Sequence, residues 1–340
     1  MTESKILFVT EANEKVASGH LFECIECCRE FCRQNIKVCL MVNRDMPLGL
    51  KQRISMSYDT YNSNIQEEAD VLIDFVRRNR IRIVIFNLRK IENYFLQKIR
   101  KELADTALIV CIDEFGHRSL NADIIINPMI DEYYWKYDTD GELYGGAEYL
   151  VLPQKVKEYH KKEKVIRKKI ETITVSMGGV DAKGTTLKLA VWLGELFDDI
   201  RLNLVIGGGF MYQDKLMELV KGKKNIKIYQ NITFLYDLFM ESDIAVCAGG
   251  NTLHELAALG VPTLVVPGMP HESRNGKAFE RLGFSICCEE ADYVTKGSVA
   301  ADMKRLSDYH LRVEMNRNGK KLADGCGVDR VFEIIQNKLF

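Results

Sequence analysis

Three short glycine runs and one histidine supply the residue types from which chemistry could be built. Gly178-Gly179, Gly207-Gly208-Gly209 and Gly249-Gly250 each follow a short apolar run and precede a helical pattern. Glycine adopts positive φ and lets the backbone come close to a ligand. The first N–H groups of the helix that follows have no internal partner and lie at the positive end of its dipole. An anion, most often a phosphate, is the guest that such turns favour. The clearest case is Ser242–Pro270, SDIAVCAGGNTLHELAALGVPTLVVPGMP. An apolar run, Ile244–Cys247, stops at Gly249-Gly250. A helical pattern starts at Asn251-Thr252 and ends at Gly260, and a second apolar run, Thr263–Val266, follows. Neither G-x-x-x-x-G-K-[ST] nor G-x-G-x-x-G occurs, which takes weight from kinase-type and nicotinamide chemistry. Glu255 lies about one turn into that helix. Its carboxylate could accept hydrogen bonds from a ribose diol, or it could be an ordinary favourable charge near a helix N-terminus.

His20 follows Gly19 at the expected start of the first helix. A histidine there suits a general base acting as neutral imidazole; the alternative is a structural or capping role. Asp113-Glu114 ends a strand on the matching edge, and His117, His254 and His271 lie on or near strand-edge loops. His271 is grouped with the binding candidates, whereas His160 and His310 sit in charged surface stretches. No H-x-x-x-H or clustered His/Asp set suggests a metal site, so neither a metal nor a cofactor is expected.

These residues need strands and helices to hold them. Ile6–Val9, Val38–Val42, Ile81–Phe86, Ala107–Ile112 and Ile124–Ile126 read as strands, with helices over Leu21 to Gln34, Ile65 to Asn79 and Tyr94–Leu103. A polar loop runs from Thr10 to Gly19, and Asn43 to Asn64 reads as irregular. Tyr149 to Leu152 resembles a short strand, and lysine-rich Lys155 to Lys169 reads as a solvated helix or linker. The alternation then restarts. Strands are expected at Thr172–Ser176, Leu202–Ile206, Ile226–Tyr229, Ile244–Cys247, Thr263–Val266 and Ile286–Cys288. Helices are expected at Leu187–Leu196, Tyr212–Val220, Phe234–Glu241 and Arg274–Leu282, and two more around Val299–Asn318 and Val328–Leu339. Alternating strand and helix argue for parallel α/β sheets with helices on both faces. The three glycine runs should then share one carboxyl edge, where open α/β sheets bind ligands. The expected domains are 1–160, with the candidate base and the sugar pocket, and 170–340, with the nucleotide diphosphate; the last helix is free to pack back on the first.

With 340 residues, 46% apolar and 28% charged, the chain is an ordinary globular composition of two-domain size. Its formal net charge is −1, without the strongly basic domain of a nucleic-acid binder. No apolar run reaches membrane-spanning length, so no membrane insertion is expected. The opening MTESKILFVTE reads as a strand flanked by charge and not as a secretion signal; the expected location is cytoplasmic. Of ten cysteines, Cys24, Cys27, Cys28 and Cys32 fall at i, i+3, i+4 and i+8, which predicts one core-facing helix face.

Five motifs together resemble the UDP-sugar hydrolases of pseudaminic-acid biosynthesis. They are Ser18-Gly19-His20, Cys111-Ile112-Asp113-Glu114, Asn121-Ala122-Asp123-Ile124-Ile125-Ile126-Asn127, Ser176-Met177-Gly178-Gly179-Val180-Asp181, and Ala248-Gly249-Gly250-Asn251-Thr252 with Glu255-Leu256. That family is a branch of the GT-B glycosyltransferases, and its second half is similar to the UDP-GlcNAc transferase that makes lipid II. The resemblance implies two Rossmann-like domains facing across a cleft. It implies water attack at sugar C1 with inversion, release of UDP, no metal, and His20 as base. Gly178-Gly179 and Gly249-Gly250-Asn251-Thr252 would hold the diphosphate and Glu255 the uridine ribose. A UDP-sugar-dependent glycosyltransferase and a non-catalytic sugar-nucleotide-binding homologue are the alternatives. Two positions depart from the family. Glu23 stands where an arginine is usual, and Phe86-Asn87-Leu88-Arg89 stands where Asp-x-Tyr is usual after the strand, so the sugar pocket differs from the family's.

Overall fold

The structure is a computed structural model. It describes every residue except 1–4, 13–18, 53, 55, 114, 115, 117, 198, 231, 233, 234 and 340, and leaves the side chains at 132 and 133 undescribed. Ser18, Glu114, His117 and Phe234, with most of the polar loop expected before the first helix, lie outside the described residues.

In chain order the first elements are β1 (Lys5–Thr10), α1 (Gly19–Arg33), β2 (Lys37–Asn43), α2 (Leu48–Lys51), β3 (Asp59–Tyr61), α3 (Ala69–Asn79), β4 (Ile81–Asn87) and α4 (Asn93–Leu103). Then come β5 (Leu108–Ile112), β6 (Arg118–Ser119), β7 (Ile124–Asn127), β8 (Tyr137–Asp138) and β9 (Glu142–Gly145). The next stretch holds α5 (Lys155–His160), β10 (Thr172–Ser176), α6 (Thr185–Leu196), β11 (Arg201–Ile206), α7 (Gln213–Leu219), β12 (Ile226–Gln230), α8 (Tyr236–Glu241) and β13 (Ile244–Cys247). It continues with α9 (Asn251–Leu259), β14 (Thr263–Val265), α10 (Pro270–Arg281), β15 (Ser285–Cys287), α11 (Lys296–Leu306) and α12 (Tyr309–Leu322), and α13 (Gly327–Gln336) closes the chain. Two compact units result. The first runs to Gln154 and takes in the chain from Cys326 onward; the second is Lys155–Gly325.

The first unit has a seven-stranded sheet in the order β3-β2-β1-β4-β5-β7-β9, parallel throughout, and a small β6-β8 pair. Its central strands β1, β4, β5 and β7 are buried on both faces, as parallel sheets require. Ile6 and Phe8 join Ile83, Ile85 and α1 in one core, while Leu7 and Val9 join Val84, Phe86 and α3 in the other. That split follows from the two-residue period of a strand. Phe31 of α1 packs edge-on between Phe8 (5.6 Å) and Phe332 of α13 (5.0 Å). The second unit has a six-stranded parallel sheet, β12-β11-β10-β13-β14-β15. In both units the order reverses beside the first strand, between β1 and β4 and between β10 and β13. Such a switch point is where doubly wound sheets take ligands.

Several expectations are corrected. The segment Asn43 to Asn64 is not wholly irregular: it holds α2 and the edge strand β3, whose three residues are too short for a visible period. Tyr149 to Leu152 forms no strand; a 3-10 turn ends at Tyr149, and β9 takes the sheet edge instead. The single helix expected over Val299–Asn318 is two, α11 and α12, because the Asp308 carboxylate accepts the His310 N–H (2.8 Å) and starts a new helix. The lysine-rich stretch is not simply solvated, since Val156, Tyr159 and Lys164 are buried. Cys24, Cys27 and Cys28 are buried but Cys32 is exposed, with all ten thiols free. Eight residues of helix rotate about 80° past whole turns, enough to carry Cys32 off the core face.

The base of the second sheet rests on buried charge. Arg312 is fully buried and donates to the carbonyls of Arg167 (2.8 Å) and Lys168 (2.9 Å). The Asp243 carboxylate accepts the N–H groups of Glu171 (2.8 Å) and Thr172 (3.0 Å) and an N–H of Arg167 (3.0 Å). Replacing Arg312 with leucine takes its donor from the Arg167 and Lys168 carbonyls. We expect the second unit to lose about 2–4 kcal/mol, read as an earlier urea midpoint in Trp192 fluorescence. A loss below about 0.5 kcal/mol, the range of an inert surface change, would show that this clamp adds nothing.

Candidate functional site

In the second unit all three glycine turns follow adjacent parallel strands, so they do share one carboxyl edge. The Gly207 turn leans on the Gly178-Gly179 turn. Gly209 N–H donates to the Gly179 carbonyl (3.0 Å), and a Cβ on Gly207 would fall 2.3 Å from that oxygen. Gly249 is closed to a side chain on two counts: its φ is +102°, and a Cβ there would lie 2.7 Å from the Glu272 carbonyl oxygen. Asn275 of α10 donates to the Gly249 carbonyl (3.2 Å).

The helices that follow these turns differ in one respect. At α6, both carboxylate oxygens of Asp181 are spent on the Thr185 (2.9 Å) and Thr186 (2.8 Å) N–H groups. Before α10, Glu272 accepts from Gly268 (2.8 Å) and Met269 (3.0 Å), and burial pushes its carboxyl upward against those two bonds. Helix α7 has Asp214 in its first turn. Helix α9 has no acidic residue in its first turn, and its N-cap, Gly250, makes no side-chain cap bond. Asn251 is exposed and Thr252 half-buried at that end. Its amides are therefore the best placed of the set to take an external anion.

Glu255 lies one turn along α9 and accepts a hydrogen bond from the Tyr236 hydroxyl (3.2 Å). Burial pushes its carboxyl up to about 7, opposed by that bond. The neighbouring His254 belongs to the core: it is 4% exposed, packs edge-on against Phe279 at 4.9 Å, and burial pulls it down to about 4. His160 bonds through Nδ1 to the Ala258 carbonyl oxygen (2.9 Å). His271 is exposed at the second position of α10.

In the first unit, Gly19 and His20 open α1 beside the switch point. His20 Nδ1 lies 2.8 Å from Asn87 Oδ1, and Asn87 Nδ2 donates to Glu23 Oε2 at 2.9 Å. Asn87 ends β4, level with Thr10 at the end of β1. The two departures from the family pattern thus meet at the candidate base, a contact that spacing could not reveal. Asp113 is 2% exposed at the end of β5. Its carboxylate accepts from the Tyr137 hydroxyl (2.6 Å), from Gly116 N–H (3.2 Å) and from the Arg118 guanidinium. Tyr137 in turn accepts from Asn127 (2.7 Å) at the end of β7, so Asp113 ties the edge of the sheet together. Sequence reasoning also missed the helix-holding roles of Asp181 and Glu272. A carboxylate just ahead of α6 and another in the first turn of α10 are the signals that could have found them. Among the described residues no group of three or more His, Cys, Asp or Glu is arranged to hold a metal ion, and no helix is long and apolar enough to cross a membrane.

The Glu255 carboxyl predicts a pH dependence. Its folded value of about 7 lies above the ordinary 4.5, so between those values the folded state holds a proton that the unfolded state has lost. Stability attributable to this residue is intact below about pH 4.5 and falls as pH rises toward 7 and beyond. Glu255→Gln should therefore be more stable than the parent at pH 8, by about 1–3 kcal/mol, with the difference vanishing near pH 4.5. Parallel denaturation curves at pH 4.5 and 8 check this, and equal midpoint shifts at both would refute it.

Residues 182–325 match the glycosyltransferase family 28 C-terminal domain. The spore coat polysaccharide biosynthesis protein SpsG of Bacillus subtilis is 24% identical over 310 residues, which cover 85% of this chain and 91% of SpsG. The UDP-N-acetylglucosamine–N-acetylmuramyl-(pentapeptide) pyrophosphoryl-undecaprenol N-acetylglucosamine transferase of Acetivibrio thermocellus is 26% identical over 188 residues, 53% of this chain and 51% of that enzyme. Among solved structures, MurG of Acinetobacter baumannii superposes with a TM-score of 0.70 at 14% identity, covering 98% of this chain and 99% of that one. Phytolacca americana UGT2, solved with UDP-2-fluoro-glucose and pterostilbene, gives 0.66 at 11% identity with 99% of each chain covered. The chain thus has a two-domain GT-B-type fold; it is similar to the family 28 C-terminal domain within its second unit, and to SpsG through both units.

Proposed function

We propose that the chain binds a UDP-sugar and displaces UDP from the anomeric carbon, using a nucleophile that His20 deprotonates. The observation that carries this reading is the uncapped N-terminus of α9 behind Gly249-Gly250, which suits the diphosphate. Gly178, Gly179, Gly207 and Gly208 shape the neighbouring turns, Asn251 and Thr252 add polar groups, and Glu255 takes the ribose diol. His271 is assigned to the nucleotide side. On the sugar side, Gly19 gives room at the start of α1, and Asp113 acts by holding Arg118 and Tyr137 in place. In the reaction, the nucleophile's O–H proton passes to His20. A new C1–O bond forms on one face as the C1–O bond to the phosphate breaks on the other, and UDP leaves with the electron pair. The leaving group gains negative charge as it departs, and fixed main-chain donors stabilise it without reorganising.

Two nucleophiles suit this chemistry. An acceptor hydroxyl, giving glycosyl transfer, is favoured by the family 28 match and by the name of the lipid-linked transferase relatives. Water, giving hydrolysis, is favoured by the Ser18-Gly19-His20 motif set and its resemblance to UDP-sugar hydrolases. In either case the product belongs to surface-polysaccharide or nonulosonic-acid chemistry.

A thermal-shift screen of nucleotides followed by a UDP-release assay tests the proposal. UDP at a hundred times its Kd should stabilise the second unit by about 2.7 kcal/mol. UDP released from a UDP-sugar in water alone marks hydrolysis, and release that needs an added acceptor marks transfer. His20→Ala should lower kcat by about a hundredfold or more while leaving the UDP shift in place. Full activity in His20→Ala would remove the base. Tight UDP binding with no turnover of any UDP-sugar would replace the enzyme with a sugar-nucleotide-binding protein.

A further inference from the structure

The side chains around His20 specify more than its position. Glu23 sits one turn after His20 on the same face of α1, and Asn87 reaches both from the end of β4. All three are withdrawn from solvent: His20 is 17% exposed, Glu23 7% and Asn87 1%. A carboxylate has only acceptor oxygens, so the Asn87 group 2.9 Å from Glu23 Oε2 is its NH2. The amide orientation is then fixed, and its oxygen faces His20 Nδ1 at 2.8 Å. An amide oxygen accepts and cannot donate, so Nδ1 must carry the ring hydrogen. The lone pair is left on Nε2. Glu23 itself lies 3.9 Å from Nδ1, outside hydrogen-bonding distance, so its hydrogen-bonded link to the ring runs through Asn87.

We infer that Glu23 and Asn87 form a relay that sets the tautomer of His20, with Glu23 orienting the Asn87 amide and Asn87 holding the hydrogen on Nδ1 so that Nε2 is the proton acceptor. The inference rests on the reading of His20 as base for its consequence in catalysis, and on the hydrogen-bond geometry alone for the tautomer. Both are positioning residues. A ring nitrogen's protonation is set by the bond its partner nitrogen makes, and an imidazole held in the wrong tautomer cannot take a proton where the reaction needs it.

The test uses two substitutions that keep volume and exchange donors for acceptors. In Glu23→Gln the new amide can give or accept, and the orientation of Asn87 is no longer dictated. In the double variant Glu23→Gln, Asn87→Asp, the new carboxylate accepts from both the introduced amide and Nδ1–H, which restores the acceptor facing the ring. Two-bond 1H–15N correlation spectra of histidine-labelled protein, with His20 assigned from His20→Ala, should show Nδ1 protonated and Nε2 bare in the parent. Glu23→Gln should mix the tautomers, and the double variant should recover the parent pattern. In the UDP-release assay, Glu23→Gln should lower kcat about tenfold to a hundredfold with KM within about twofold, and the double variant should regain most of the loss. A parent spectrum with the hydrogen on Nε2, or a Glu23→Gln protein with unchanged tautomer, would overturn the relay. The spectra decide this even if no UDP-sugar is turned over, in which case the enzymatic reading fails and the tautomer assignment stands.

Discussion

Helix α9 starts without a side-chain cap, and the second unit is organised around that end. Buried or half-buried amides must find partners, and the unit meets that demand at its other turns with carboxylates: Asp181 serves α6, and Glu272 serves the approach to α10. At α9 the cap position is Gly250, where serine or aspartate would have done the same. The alternative costs roughly a few tenths of a kcal/mol relative to those caps. It is tied to Gly249, whose left-handed φ and close approach to the Glu272 carbonyl leave no space for a side chain. The pair forms one bare stretch of backbone at the reversal point of the sheet, with its surroundings pinned by Asn275 and Glu272.

In the first unit the candidate base sits on a helix held at both ends. His20 rides on α1, which is anchored at its far end by Phe31 between Phe8 and Phe332. Edge-on aromatic pairs add about 0.5–1.5 kcal/mol each beyond the area they bury. Phe332 arrives from α13, after the chain has built the whole second unit, so the last turns of the sequence complete the core beneath the first functional helix. At its near end α1 is held by Asn87, itself fixed by register between β1 and β4. The loops alongside are tied in the same way: Asn43 exchanges hydrogen bonds with Ala12, and Tyr61 donates to the Thr10 carbonyl.

Most of this fold could be read from the sequence because parallel strands announce themselves. Runs such as Ile81–Phe86 and Ile244–Cys247 are apolar on both faces, and glycine turns followed by helical periods mark each crossover. That alternation predicts parallel sheets, and the structure supplies their strand order. What escaped was short, or set by a single contact. β3 has three residues and depends on pairing with β2. β9 carries Glu142, with glycines at 141, 145 and 146, and becomes a strand because β7 offers it an open edge. The break between α11 and α12 hangs on one carboxylate, Asp308, inside a stretch with continuous helical character.

The site was legible in its main-chain part and much less so in its side chains. Gly178, Gly207 and Gly249 act through the absence of a side chain, and absence is visible in a sequence. Asp113 and Asn87 present the opposite case. Both are polar residues at the end of β-branched strands on one edge, and nothing in their spacing separates them. The carboxylate of Asp113 is taken up by Arg118, Tyr137 and Gly116, while Asn87 faces the candidate base. The partners decide, and they come from elements up to 67 residues away. The two stretches that depart from the family pattern, Glu23 and Phe86–Arg89, are joined in this chain by one hydrogen bond, from Asn87 Nδ2 to Glu23 Oε2.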